Sequence, residues 1–195
     1  MSSFVEFFSL GKNHILDIYS VDHILFIIAL CAVYLIRDWR KVLILVLCFA
    51  FGHSVTLALS SFQVINIRQD LVQYLIPVTI FVTAVSNVFK KQNTYYKKSL
   101  QSNYFLAAFF GLIHGLGFSY YLINSINQAK PKVVPLIAYN LGIEFGLIII
   151  VILFLITSYL FINIININRR DWNLVISSAI AGIAITLMFE SRYWV

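Results

Sequence analysis

The chain has 195 residues, 61% of them hydrophobic and 11% charged, with a mean hydropathy of +0.88. A soluble domain carries about 25% charged residues, so the composition excludes a soluble globular protein, and 17 Phe, 11 Tyr and 3 Trp exclude a disordered chain. The formal net charge of +6 is assigned to short basic loops that set membrane orientation and meet anionic headgroups, and not to a nucleic-acid surface.

A transmembrane helix needs about 20 predominantly apolar residues. Six segments qualify: 16–36, 42–62, 71–89, 104–126, 133–163 and 172–190. They are too long, and alternate too little, to be barrel strands. The expectation is an all-α polytopic membrane protein, residues 1–195 forming a single bundle of about six transmembrane helices. Residues 1–11 contain Glu6 and no Lys or Arg, so the first segment lacks the basic flank of a cleavable signal peptide and is retained. Cys31 and Cys48 both lie in apolar runs, which leaves neither a disulfide framework nor a thiolate metal cluster. The 1–2, 3–4 and 5–6 connections hold nine basic residues, among them Arg37, Arg40, Lys41, Lys90 and Arg169, against five on the other side. The positive-inside rule then places these connections in the cytoplasm and both termini outside. For an α-helical bundle of this kind the natural location is a bacterial inner membrane.

Ionisable groups inside a bilayer are costly and mark functional sites. All four histidines, His14, His23, His53 and His114, fall in or at the start of these segments, together with Asp17, Asp22 and Glu144. No Lys or Arg lies in a segment interior to neutralise the acids. At about 1.5 Å per residue, His53, His114 and Glu144 share a depth of roughly 15–17 Å, whereas Asp22 and His23 fall shallower, on the outer side. Imidazoles and carboxylates at similar depth suit a divalent transition metal, with Zn, Ni, Co, Fe and Mn all compatible and Cu(I) disfavoured by the absence of nearby Cys and Met. The candidate ligands are His23, His53, His114, Asp22, Glu144 and His14. Small residues centre on them: Gly52 beside His53, Gly111 and Gly115 around His114, Gly142 and Gly146 around Glu144. Such pairs let helix backbones approach closely.

Four stretches, HILDIYSVDHILFIIAL (14–30), FGHSVTLALS (51–60), FGLIHGLGFS (110–119) and YNLGIEFG (139–146), resemble the HupE/UreJ family of bacterial membrane proteins. The resemblance implies a permease-like protein moving nickel or cobalt for metalloenzyme maturation, with Asp22, His23, His53, His114 and Glu144 as ligands. Two departures stand out. Family members place the first His seven residues before the DH histidine, whereas His14 and His23 are nine apart and half a turn out of phase, so either the helix breaks around Ile18 to Ser20 or His14 is not a ligand. In the third segment, where family members often carry glutamates, this chain has Gln73 and Ser86.

Transport requires polar access from both sides in turn. Ser54, Thr56, Ser60, Ser119, Asn124 and Asn140 supply it in the outer half, and Thr79, Thr83, Ser86 and Asn87 form an inward stripe that could equally serve interhelical hydrogen bonding. Ser54, Asn140 and Gln73 are candidates to orient the ligands. The alternative is an intramembrane zinc hydrolase acting on a lipid or membrane-embedded substrate, with His23, His53 and His114 holding the metal, Asp22 or Glu144 as general base, and Ser54 or Asn140 assisting at the oxyanion. A weaker third reading is a metal-stabilised subunit that packs against another membrane protein.

Overall fold

The computed structural model describes residues 2–17, 21–65, 67–90, 100–126 and 133–191, and among these every regular element is helical. The order is α1 (Ser2–Leu16), α2 (Val21–Cys31), a 3-10 turn (Ile36–Asp38), α3 (Trp39–Ser61), α4 (Gln69–Phe89), α5 (Leu100–Ile126), α6 (Val133–Tyr159) running into a π-helical turn (Leu160–Ile164), and α7 (Arg169–Glu190). Local chemistry ends these helices. Gln63 and Asn166 adopt positive φ just beyond α3 and the α6 extension, where a left-handed residue satisfies the last carbonyls. Asn168 caps α7 by accepting from the Arg170 N–H at 2.9 Å.

Four helices, Ile36–Ser61 with its leading turn, Gln69–Phe89, Val133–Ile164 and Arg169–Glu190, are long and apolar enough to cross a membrane. The bent pair α1–α2 makes a fifth if counted as one span. The expected first segment, 16–36, is therefore redrawn. Its one long helix is replaced by the shorter α2, which is bent by 67° from α1, and residues 2–16, expected to precede the bundle, form its first helix. Large apolar side chains such as Phe51, Phe89, Phe105 and Val175 are 66–79% exposed, the inside-out surface that lipid solvates.

Three close helix pairs build the bundle. In α3–α5, a Cβ on Gly52 would lie 2.1 Å from the Ala108 carbonyl oxygen, and one on Gly111 2.2 Å from that of Phe49. In α1–α6, a Cβ on Gly11 would meet the Tyr139 oxygen at 2.1 Å and one on Gly142 the Phe8 oxygen at 2.1 Å. Only hydrogen fits at these crossings, so backbone touches backbone. Further along, a Cβ on Gly115 would meet His53 and Thr56 where one on Gly111 meets Phe49, and one on Gly146 would meet Ile15 where one on Gly142 meets Phe8, so residue numbers rise together and each pair is parallel. The third pair, α4–α7, is antiparallel: Asn173 near the start of α7 donates to the Asn87 carbonyl near the end of α4 at 2.9 Å. Asn87 Nδ2 in turn donates to the Ala29 carbonyl at 2.6 Å, and Arg169 reaches the Val33 carbonyl at 2.6 Å. The end of α2 is thus tied to α4 and α7.

Candidate metal centre

His14 ends α1 and His23 begins α2, and the break between them removes the half-turn phase difference that a continuous helix would impose. Their ring centroids lie 5.3 Å apart. His23 is central: its ring is also 5.6 Å from that of His53 on α3 and 5.3 Å from that of His114 on α5. Because α1 runs beside the first half of α6, the α1–α2 break falls deep in the bundle. His23 therefore sits level with His53 and His114, and not shallower as the 16–36 limits implied. His53 and His114 are completely buried and His23 is 5% exposed.

Every buried polar atom calls for a partner, and here several have none. Among the described residues, His23 Nε2, both nitrogens of His53 and His114 Nδ1 make no hydrogen bond. His114 Nε2 lies 2.9 Å from Thr79 Oγ1. The single Thr79 proton is given to the Ile76 carbonyl at 2.7 Å, so Nε2–H is the donor to Oγ1 and Nδ1 keeps the free lone pair. Two imidazoles on one tetrahedral ion, with nitrogens at roughly 2.0–2.1 Å, have centroids about 5 Å apart, and the observed spacings are close to that. The rings, however, meet edge to face. Among the described residues no three His, Cys, Asp or Glu side chains are arranged to hold a metal ion, so ligation requires the imidazoles to turn.

Asp22 and Glu144 are half-buried, and no ion pair joins either to a histidine among the described residues. Ser54 donates to Asn140 Oδ1 at 3.1 Å, linking α3 to α6, while Gln73 is exposed on α4. The Thr56 hydroxyl is turned back on the Gly52 and His53 carbonyls, and the side chains of Ser119 and Asn124 lie outside the described residues. The inward stripe is divided. Thr79 bonds His114 and Asn87 ties helices together, whereas Thr83 and Ser86 bond carbonyls of their own helix.

A second layer was not anticipated. Phe26 follows His23 by three residues, and Phe49 and Phe110 precede His53 and His114 by four, so each lies one turn from its histidine toward the same end of the bundle. The Phe26 ring is 4.9 Å from that of Phe49, 5.9 Å from that of Phe110 and 4.8 Å from that of His114. This aromatic layer closes the histidine layer on the side of the basic connections. The spacing could have been read from the sequence once the direction of each helix was assigned.

A family model described as HupE / UreJ protein matches residues 1–193. No curated protein and no solved structure matches the chain.

Proposed function

The chain belongs to the HupE/UreJ family, and from that premise we propose that it carries a divalent transition-metal ion of the nickel, cobalt or zinc class across the membrane, through its four-histidine layer. The observation that carries this reading is the gathering of histidines from four helices in the bundle interior, with unpartnered nitrogens on three of them. Neutral imidazole is a good ligand for these ions. The broken helix adds to it: the carbonyl end of α1 carries partial negative charge toward the site, an arrangement used for cations at interrupted helices. The cation is cargo. His23, His53 and His114 would receive it, His14 would meet it at the α1 terminus, and Asp22 and Glu144 would lower the cost of bringing positive charge to that depth.

The same arrangement favours transport over the hydrolase. A catalytic zinc needs three protein donors held ready with a fourth position open, and the described donors are not so held. A transit site assembles around its ion and comes apart again. The Phe26–Phe49–Phe110 layer would be the closed side of such a site.

Six crossings in a bacterial inner membrane, with both termini outside, complete the proposal. Parallel α1–α6, parallel α3–α5 and antiparallel α4–α7 are the directions that six alternating crossings require. Proteoliposomes holding the full chain test the function. Nickel or cobalt uptake should fall at least tenfold in His53→Ala and His114→Ala with insertion intact. Undiminished uptake in either variant, or one zinc per chain that never exchanges, would refute transport through this layer.

A further inference from the structure

Beyond the aromatic layer, toward the basic connections, lies a cavity of about 110 Å³ between α2, α3, α4 and α5. It is lined by leucine, alanine and Phe110 and by the polar side chains of Tyr34, Thr83, Ser86, Asn87, Lys90 and Asn103. Val82 and Leu106 line it while remaining 47% and 45% exposed, so it opens on the flank between α4 and α5. The lining contains one cation and no acid.

Lys90 is half-buried immediately after α4. Its ammonium has three donors, and its hydrogen bond goes to Asn87 Oδ1 at 3.3 Å. No carboxylate pairs with it among the described residues; Asp38 pairs with Lys41 and Asp70 with Arg68. The connection that follows offers none either, since residues 91–99 contain Lys91, Lys97 and Lys98 and no Asp or Glu. Burial holds the Lys90 ammonium below the usual lysine range, as expected of a buried cation short of counter-charge. Beside the mouth, Phe89 and Phe105 are 79% and 72% exposed.

We propose that this cavity binds the phosphoryl headgroup of an anionic membrane phospholipid, with Lys90 as its counter-ion, Asn103 as a neutral polar contact, Ser86 lining the space the headgroup fills, and the acyl chains lying along the exposed apolar flank of α4 and α5. A basic pocket between membrane helices, at headgroup depth and continuous with an apolar face, matches the chemistry of such a lipid. A soluble anion would use the charge and not the flank. A divalent cation would meet Lys90 as a like charge.

Native mass spectrometry of the full chain, purified with equal phosphatidylglycerol and phosphatidylcholine of one acyl composition, tests this. The wild type should retain phosphatidylglycerol about five-fold over phosphatidylcholine, the scale of one lysine at a membrane surface. Lys90→Gln should abolish the preference. Ser86→Leu, which fills that space and keeps the charge, should also abolish it, while Arg40→Gln, an equal charge loss outside the cavity, should leave it intact. Equal loss in Arg40→Gln and Lys90→Gln would reduce the effect to surface charge and overturn the site. Displacement of the lipid by millimolar inorganic phosphate would assign the cavity to a free anion and overturn the lipid.

Discussion

Thr79 fixes the chemistry of a residue 35 positions away. Because its proton goes to Ile76 and its lone pair to His114 Nε2, it holds the imidazole in the tautomer that leaves Nδ1 able to ligate. Groups that orient a ligand in this way are worth about 10–100-fold in metal affinity. Thr79→Val should therefore weaken nickel or cobalt binding by about that factor, with a stability loss of about 1–3 kcal/mol because the buried His114 donor is left without a partner, and Thr79→Ser should restore both. Equilibrium metal titration alongside thermal unfolding separates the two effects; unchanged affinity in the valine variant would remove Thr79 from the site. Among the histidines, His23 touches the other three rings, so His23→Ala should cost more affinity than His14→Ala in the same titration. Equal losses would make the two residues equivalent ligands. That His53 and His114 fall at a common level was legible in the sequence, because each lies about as far along its apolar run as the other, and both rings meet that of His23. The Thr79–His114 bond was not, since period alone places Thr79 on a stripe without naming the helix opposite.

At the level of elements, the glycines separate close backbone contact from mere helix composition. The pairs at 111/115 and 142/146 were readable as small-residue motifs, and both sit at backbone contacts. Gly11 was missed because α1 contains Glu6, Lys12 and Asn13 and reads as a polar lead-in. The helix is held in the bundle by the fit of its Phe7, Gly11 and Ile15 face to α6 and not by its hydropathy. Gly52→Ala and Gly142→Ala should each destabilise the protein by at least about 1–3 kcal/mol, because the added methyl meets backbone that cannot turn aside. Gly182 has nothing within 4 Å of its would-be Cβ, and Gly182→Ala should stabilise by about 0.5–1 kcal/mol through helix propensity alone. Thermal unfolding in detergent reads both directions, and a neutral Gly52→Ala would mean that α3 and α5 are free to separate. The nine-residue spacing of His14 and His23 did signal the break, since an unbroken helix cannot present both to one site. Where α1 would then lie was set by tertiary packing that no local pattern records.

For the whole molecule the open question is whether α1–α2 crosses the membrane or dips in and returns. The packing directions are those the proposed crossing requires. α1 runs parallel to α6 from that helix's first turns, while α2 ends beside the last turn of α4 and the first of α7, through Asn87–Ala29 and Arg169–Val33. Its two ends therefore meet the first turns of α6 and of α7, and because Trp172 at the start of α7 stacks on Phe161 at the end of the α6 extension these lie at opposite ends of α6, whereas a re-entrant loop would return to the end from which it came. In a background with Cys31 and Cys48 replaced by Ser, single cysteines at Val5 and Glu190 should react with an impermeant maleimide from outside intact cells, and those at Arg37 and Arg170 only after permeabilisation. Val5 and Arg37 reacting from one side would make α1–α2 re-entrant. Val5 and Glu190 reacting from opposite sides would require an odd number of crossings. Either result would remove the alternation on which the transport proposal depends, because the histidine layer would then no longer lie between two separately accessible halves of the bundle.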